Sequence, residues 1–184
     1  MDCTSCNVGS LEPSFIEGQF RAHTCTSCKG NWILIEDYVS WKERNPEYQF
    51  SEQCSFQEDG TDSKKALLCP STGTIMRKFK ISSATEHRID YSANAGGLWL
   101  DAGEWELLKK EGLAGSLNSV ISQHWQNKIR EQSAKDNFAD IYLEKFGAEN
   151  YTKIKEFRQW LDKQEQKADL RAYILAEDPY SAEK

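Results

Sequence analysis

The chain has 184 residues, a net charge of −6, 28% charged residues and 39% apolar residues, so its length allows one domain or two small ones. Its 6 Trp, 7 Tyr and 8 Phe can build compact cores, which excludes a wholly disordered chain. No apolar run reaches the length of about 18 residues that a membrane-spanning helix needs. The first residues lack the basic and apolar regions of a secretory signal, so we expect a cytoplasmic protein.

Two cysteine pairs near the N-terminus predict a zinc site. Two residues separate Cys3 from Cys6 and Cys25 from Cys28, and 18 residues lie between the pairs. This spacing is typical of a zinc ribbon, in which two tight knuckle turns present four thiolates to one Zn²⁺ ion. Four thiolates close the coordination shell, so we predict one structural zinc per chain, bound by all four cysteines. The alternatives are unligated thiols, two disulfides or a thiol redox site, although no βαβ pattern surrounds either pair.

The acidic charge is concentrated in the first third of the chain. Residues 1–60 carry four basic and ten acidic side chains, a net charge of −6. Four thiolates and one Zn²⁺ would bring this to about −8. Because a DNA-binding protein obtains most of its affinity by neutralising phosphates, this segment would repel nucleic acid. The charge favours another protein as the partner, docked on the acidic N-terminal module.

The motif around the second cysteine pair recurs in the middle of the chain. Residues 29–34 (KGNWIL) align with residues 96–101 (GGLWLD). In this register the cysteines Cys3, Cys6, Cys25 and Cys28 correspond to Cys69, Thr72, Ser92 and Ala95. The second copy keeps one ligand of four, so we expect a metal-free ribbon with Trp99 as buried as Trp32. The alternative is a second site made from Cys54, Cys69 and His87, whose spacing is irregular.

The patterning predicts an α+β fold with a small zinc ribbon, a second ribbon-like unit and C-terminal helices. The predicted parts are a zinc-ribbon module with a short helix (1–44), a polar linker (45–65), a degenerate ribbon with a short helix (66–112) and a helical region of three to four helices (117–180). The first short helix should end before Pro46, because proline disfavours helical backbone in the preceding residue. Alternation from Ile75 to Ile81 predicts a strand, and Asp101 with Glu104 predicts a capping box.

Four apolar stripes at helical spacing mark the C-terminal region. They comprise Leu117, Ile121, Trp125 and Ile129; Phe138, Ile141, Tyr142 and Phe146; Tyr151, Ile154, Phe157, Trp160 and Leu161; and Leu170, Tyr173 and Ile174. Because such stripes normally face a core, we expect these side chains to be buried. The alternative is a groove that binds a partner.

No catalytic constellation accompanies these elements. None of the three histidines has a cysteine or serine partner in a recognisable nucleophile motif. One basic patch, formed by Arg77, Lys78, Phe79 and Lys80, could contact single-stranded nucleic acid by stacking and charge. We favour an exposed strand with solvated cations, because a nucleic-acid-binding domain has a broader basic face.

The cysteine pairs and residues 96–104 (GGLWLDAGE) resemble the bacterial transcription factor IIB-type zinc-ribbon family. The first copy matches the metal ligands of the family, the second matches its tail motif, and residues 160–180 look like the tail of longer members. The resemblance implies zinc binding and a ribbon fold. We predict a non-enzymatic zinc protein that acts as an interaction or adaptor module, with no membrane association. The alternatives are a nucleic-acid-associated regulator using Arg77–Lys80 and a thiol-based redox or metal-handling protein.

Overall fold

The computed structural model describes residues 1–51 and 65–177, which fall into two compact units, Met1–Ser133 and Ala134–Lys184. The strands are β1 (Leu11–Ile16), β2 (Phe20–Cys25), β3 (Asn31–Leu34), β4 (Arg77–Lys80), β5 (Arg88–Ser92) and β6 (Gly97–Leu100). The helices are α1 (Ile35–Arg44), α2 (Glu104–Lys110), α3 (Leu117–Val120), α4 (Gln123–Phe146), α5 (Ala148–Asp162) and α6 (Lys167–Leu175), with a 3-10 turn at Ala114–Ser116. The boundary between the units lies within α4. The fold is α+β, as predicted.

Both ribbons belong to one antiparallel sheet with the strand order β1-β2-β3-β6-β5-β4. Each ribbon supplies three consecutive strands, and β3 of the first pairs with β6 of the second. In this pair Trp32 lies opposite Trp99, and Ile33 lies opposite Leu98. Trp32 and Trp99 are equivalent positions of the repeat, so the strands of the two copies are arranged symmetrically about this pair.

Two glycines allow the copies to approach at the centre of the sheet. A Cβ atom on Gly30 would clash with the ring of Trp99, and a Cβ atom on Gly97 would clash with the ring of Trp32. Gly30 and Gly97 are themselves equivalent in the repeat, so the contact is reciprocal. Each tryptophan therefore covers backbone of the other copy that only glycine leaves accessible.

The sheet has a packed cluster on each face. Successive residues of a strand point to opposite faces, so Ile33 packs towards the helices while Trp32 packs towards the cysteines. The helix-side cluster includes Phe20, Trp105 and Leu117. The cysteine-side cluster contains Cys3, Leu11, Cys25, Trp32, Leu67, Cys69, Met76 and Trp99. Trp32 and Trp99 are 1% and 0% exposed, which confirms the burial predicted for both.

Helix α1 connects the first ribbon to the helix-side cluster. It follows β3 directly and ends at Arg44, before Pro46, as predicted. Its buried residues are Tyr38 and Trp41. The hydroxyl of Tyr38 donates a hydrogen bond to the carbonyl of Ala114 at 2.9 Å, which satisfies a buried polar group at the end of the second ribbon.

The start of the predicted linker packs against the core. The ring centroids of Tyr48 and Phe50 lie 5.2 and 5.4 Å from that of Trp41. Phe50 also contacts the ring of Trp105 at 5.1 Å. Residues 45–51 are therefore part of the first unit, because their aromatic side chains outweigh the polar composition that predicted a linker. The rest of that prediction, residues 52–64, lies outside the described residues.

The compact units differ from the predicted domains. The modules predicted at 1–44 and 66–112 share one sheet, and residues 117–133 belong to the same unit. Leu117 and Val120 are fully buried in the helix-side cluster, which ties α3 to the sheet. The predicted helical region 117–180 is therefore divided between the two units.

The burial predicted along the strand between Ile75 and Ile81 is only partly present. Phe79 and Ile81 are buried, as the alternation requires, but Ile75 is exposed and its neighbour Met76 is buried. The regular strand β4 begins only at Arg77, and Ile75 forms an isolated bridge with Leu68. The alternation therefore holds within β4 and fails before it.

The second unit contains the end of α4 together with α5 and α6. The predicted burial of the apolar stripes is confirmed at Leu117 and Ile129 of the first unit and at Leu161 of the second. It is wrong for most of the other stripe residues in the second unit. Exposed here are Phe138, Ile141, Tyr142, Leu143, Ile154, Phe157, Trp160, Tyr173, Ile174 and Leu175. Helical spacing shows which side chains share a face but not whether another element covers that face. None of the described helices combines the length and apolar character needed to cross a membrane.

Candidate metal centre

The four predicted ligands meet in one cluster at the start of the sheet. The sulfur atoms of Cys3, Cys6, Cys25 and Cys28 all lie within 4.8 Å of one another. The Sγ atoms of Cys3 and Cys28 are 3.6 Å apart, and those of Cys6 and Cys25 are 3.7 Å apart. A Zn–S distance of about 2.3 Å in a tetrahedron gives S–S edges of roughly 3.8 Å, so the cluster fits a four-thiolate zinc ion.

Two knuckle turns place these sulfur atoms. In each turn the fourth residue after the first cysteine has a positive φ: Asn7 at 54° and Lys29 at 61°. The amide of Asn7 bonds to the carbonyl of Cys3 at 3.2 Å, and that of Lys29 bonds to Cys25 at the same distance. Backbone amides also point at the sulfur atoms, including Gly9 N–H to Cys6 Sγ at 3.4 Å. These amides offset part of the negative charge that four thiolates concentrate.

The protonation of the thiols follows from their surroundings. The backbone amides of Gly9 and Val8 lower the pKa of Cys6 to about 6, because they stabilise its thiolate. Burial raises the pKa of Cys3 and that of Cys28, because it disfavours the charged form. At neutral pH without metal, Cys6 is a thiolate while Cys3 and Cys28 hold their protons. Zinc binding must release those protons.

We expect the zinc affinity to rise by at least roughly hundredfold per pH unit between about pH 6 and 8, because at least two thiol protons leave when the ion binds. Isothermal titration in buffers of different ionisation enthalpy measures the number of protons released. An affinity that does not change with pH, with no proton released, would contradict this assignment of the thiols.

Gly9 packs directly on the cluster, a role that the cysteine spacing does not reveal. A Cβ atom at this position would lie 2.5 Å from Cys25 Sγ and 2.9 Å from the amide nitrogen of Ser27. Position 9, between the first knuckle and β1, must therefore lack a side chain. The sequence offers a signal only in the presence of glycine shortly after a cysteine pair.

We expect Gly9→Ala to weaken zinc binding by roughly 10–100-fold, the usual effect of disturbing the groups around metal ligands. Competition with a chromophoric chelator measures the affinity. The matched control is Gly115→Ala, since the nearest atom to a Cβ there is Lys42 Nζ at 4.0 Å. Equal zinc affinities for Gly9→Ala and the unmodified chain would show that the knuckle tolerates the methyl group.

The second ribbon keeps the knuckle backbone while most of its ligands are replaced. Gly73 and Gly96, the equivalents of Asn7 and Lys29, also have positive φ values of 67° and 61°. The amide of Ala95 donates to Ser92 Oγ at 3.3 Å, as the amide of Cys28 donates to Cys25 Sγ at 3.4 Å. The two knuckles of the second copy therefore have the turn geometry of a zinc ribbon.

In the second ribbon, hydrogen bonds join the residues that are equivalent to the zinc ligands. Cys69 and Ser92 are both buried and hydrogen-bonded to each other. Burial raises the pKa of Cys69, but hydrogen bonds from Ser92, Thr72 and the backbone outweigh it, so the pKa is lowered overall. Among residues 1–51 and 65–177, neither Cys69 nor His87 belongs to a cluster of three potential metal ligands. Cys54, part of the alternative second site, lies outside the described residues.

Asp101 connects the zinc knuckle to the second ribbon. Its Oδ1 atom accepts hydrogen bonds from the hydroxyl of Ser5 at 3.0 Å and from the indole N–H of Trp99 at 2.8 Å. Ser5 lies between two zinc ligands, and the hydroxyl of the neighbouring Thr4 donates to the carbonyl of Leu68. The first knuckle is therefore hydrogen-bonded to the second copy near its start, at Leu68, and just after β6, at Asp101.

The prediction that Asp101 caps α2 is wrong in part. The helix begins at Glu104 after Gly103, without a side-chain cap. The reciprocal half of the predicted box is present, since the amide of Asp101 donates to Glu104 Oε2 at 2.8 Å. The Asp101 carboxylate instead accepts hydrogen bonds from Trp99, two residues away, and from Ser5. The bond from Ser5 spans 96 residues, so local spacing cannot indicate it.

The predicted basic patch forms strand β4, which comprises Arg77, Lys78, Phe79 and Lys80. Strand β4 is one edge of the sheet, and β1 is the other edge. Lys78 pairs with Asp90 and Lys80 pairs with Glu86, each at 2.8 Å. Phe79 is buried in the helix-side cluster, and the guanidinium of Arg77 lies 5.7 Å from the centre of its ring. The strand keeps the four residues adjacent, with the ring in the core and two cations paired to carboxylates. Their role in binding nucleic acid stays a prediction.

The four clustered cysteines and the strands around them form one four-cysteine zinc centre of structural type. Residues 2–44 match the family model of the transcription factor IIB zinc ribbon, described as a transcription factor zinc-finger. The match spans the four cysteines, β1 to β3 and α1. No curated protein and no solved structure matches the chain significantly. The N-terminal segment is thus a zinc ribbon of this type, and zinc is its cofactor.

Proposed function

We propose that this protein is a non-enzymatic adaptor, in which a zinc-stabilised pair of ribbons carries a helical surface that binds another protein. The exposure of large apolar side chains on the second unit is the observation that carries the proposal. Phe138 is 60% exposed, Trp160 is 48% exposed and Leu175 is 81% exposed. Large exposed apolar side chains in such number are typical of interaction sites in soluble proteins.

The zinc centre supports a structural role. Four thiolates occupy all positions of a tetrahedral ion, so no position remains for water or a substrate. Structural zinc of this kind stabilises a small ribbon that would otherwise bury little apolar surface. The proposal includes a cytoplasmic location, since reduced thiols suitable for zinc persist in a reducing compartment.

A nucleic-acid-associated regulator is the second candidate, because the matching family model is described as a transcription factor zinc-finger. Charge argues against it. Residues 1–60 carry a net charge of −6 before metal binding, and Lys78 and Lys80 on β4 are already paired to carboxylates. Phosphate neutralisation would have to come from few remaining cations.

We expect the isolated protein to bind duplex DNA no more tightly than about 10⁻⁴ M at physiological salt, the weak end of non-specific affinity. Fluorescence anisotropy over a salt titration measures this binding. Micromolar binding at about 150 mM salt that disappears in Arg77→Ala/Lys78→Ala/Lys80→Ala would move the protein into the regulator class.

Affinity purification from native cell extract, with and without nuclease, tests the adaptor function. The full chain should retain a protein partner after nuclease treatment, and Phe157→Ala/Trp160→Ala should lose it. Glu165→Ala/Lys167→Ala, which changes two exposed polar residues of the same unit, is the matched control and should retain the partner. Partners that all disappear with nuclease would favour the regulator and contradict the adaptor.

A further inference from the structure

An open groove of about 450 Å³ lies between α4 and α5, entirely within the second unit. Its apolar lining includes Phe138, Tyr142 and Phe146 from α4, and Tyr151 and Ile154 from α5. The α4 residues are spaced four apart, so they share one face of that helix. The α5 residues are spaced three apart and likewise share a face. The two faces form a concave apolar surface that a third helix could fill.

Cations surround this apolar surface. Lys135, Lys155 and Arg158 line the groove and are exposed. Among the described residues none of the three takes part in an ion pair. The one carboxylate in the lining, Asp162, is paired with Arg171 at 2.6 Å. The groove is therefore locally positive, although residues 134–177 carry eight basic and nine acidic side chains.

We propose that this groove binds an acidic amphipathic helix of a partner protein. The proposal rests on the adaptor function and adds the chemistry of the partner. Apolar side chains of the helix at positions i, i+3, i+4 and i+7 would enter the groove. Its flanking carboxylates would meet Lys135, Lys155 and Arg158, which is the charge complementarity that selects partners and register.

The same charges disfavour a second copy of this chain as the occupant. A twofold interface uses the same patch on both subunits, so it would bring the three cations of one copy near those of the other. Like charges facing each other across an interface oppose binding. Single-stranded nucleic acid is disfavoured for another reason. Tyr142 and Phe146 stack on each other, with ring centres 5.5 Å apart, which occupies ring surface that bases would need.

Selection from a displayed peptide library tests the proposal with the full chain. The library consists of amphipathic helices of about 18 residues, long enough to be helical once bound. Their apolar positions are fixed and their flanking positions vary among Glu, Gln and Lys. We expect the selected peptides to be acidic. Enrichment of basic or neutral peptides, or no enrichment at all, would overturn the proposal.

Charge reversal identifies the surface that the selected peptides use. Lys135→Glu/Lys155→Glu/Arg158→Glu should lower their affinity at least about tenfold, because like charges would then face each other. Phe138→Ala/Tyr142→Ala should lower it by a similar factor. The matched control Lys153→Glu/Lys163→Glu/Lys167→Glu makes the same change in net charge outside the groove lining and should leave the affinity unchanged. Equal losses in both triple variants would overturn the assignment to the groove.

Three further measurements separate the alternatives. Lys135→Gln/Lys155→Gln/Arg158→Gln keeps the helices free of new charge and should still weaken binding. Light scattering that finds a dimer, made monomeric by Phe138→Ala/Tyr142→Ala, would overturn the proposal in favour of a second copy. An oligonucleotide that binds the groove more tightly than the selected peptides would overturn it in favour of nucleic acid.

Native partners distinguish the groove proposal from the adaptor function. If these partners still bind the groove variants but do not bind Phe157→Ala/Trp160→Ala, the adaptor function stands and the groove proposal fails.

Discussion

Cys3→Ser should unfold the whole first unit. Structural zinc contributes roughly 10–16 kcal/mol of apparent binding free energy to such folds, which is comparable to the total stability of about 5–15 kcal/mol of most domains. The sequence alone predicts a loss confined to the N-terminal module. The shared β3–β6 pair and the Ser5–Asp101 hydrogen bond extend the expected effect to the second ribbon.

Hydrogen exchange measures the reach of this effect. The amides of β4 and β5, on the far side of the sheet from β1, should lose their protection in Cys3→Ser. Cys69→Ser is the control, since Cys69 lies outside the four-cysteine cluster, and it should keep both the metal and the protection of these strands. Protected β4 and β5 amides in a zinc-free Cys3→Ser protein would show that the two ribbons fold independently.

Trp99→Ala should lower the free energy of unfolding by roughly 3–5 kcal/mol, as large aromatic truncations in cores do. The side chain is fully buried, covers Gly30 of the first copy and donates to Asp101. The substitution removes packing from both ribbons and deprives Asp101 Oδ1 of the hydrogen bond from the indole N–H. Urea denaturation of the zinc-loaded chain measures the change.

The exposed Trp160 provides the comparison for Trp99→Ala. Trp160→Ala should change the free energy of unfolding by less than about 1 kcal/mol, because surface substitutions away from special features have small effects. Trp32→Ala should resemble Trp99→Ala, since the two rings occupy equivalent places opposite each other. A negligible effect of Trp99→Ala would contradict the packing of the two copies across β3 and β6.

The sequence predicts the metal centre well because its determinants are local. Each cysteine pair lies within one tight turn, and the hairpin between the pairs needs only β1 and β2. The repeat register also predicts the burial of Trp99. These features depend on short stretches of chain, in which spacing and turn geometry are closely linked.

The joining of the two ribbons is a tertiary property that the repeat register does not specify. Two copies of a motif can fold as separate modules or pair at their edges, and the choice depends on whether the backbones can approach. Gly30 and Gly97 permit that approach, and they align in the repeat. The sequence therefore shows the two glycines but not that they allow the backbones to approach. The hydrogen bond from Ser5 to Asp101 spans 96 residues and has no local pattern.

The exposure of the C-terminal stripes depends on tertiary structure as well. Leu117 and Phe138 both belong to regular apolar stripes, yet the first is fully buried and the second is exposed. Leu117 packs in the helix-side cluster with residues of the sheet and α1, while Phe138 lines an open groove. Periodicity alone cannot separate a core stripe from a docking stripe, which is why the proposed function depends on the structure.

The zinc content of the purified full chain tests the central claim most directly. Native mass spectrometry measures how many ions each chain holds. One zinc per chain, lost in Cys3→Ser and kept in Cys69→Ser, is the result expected for a single four-cysteine centre. Two zinc ions per chain, or none, would contradict it.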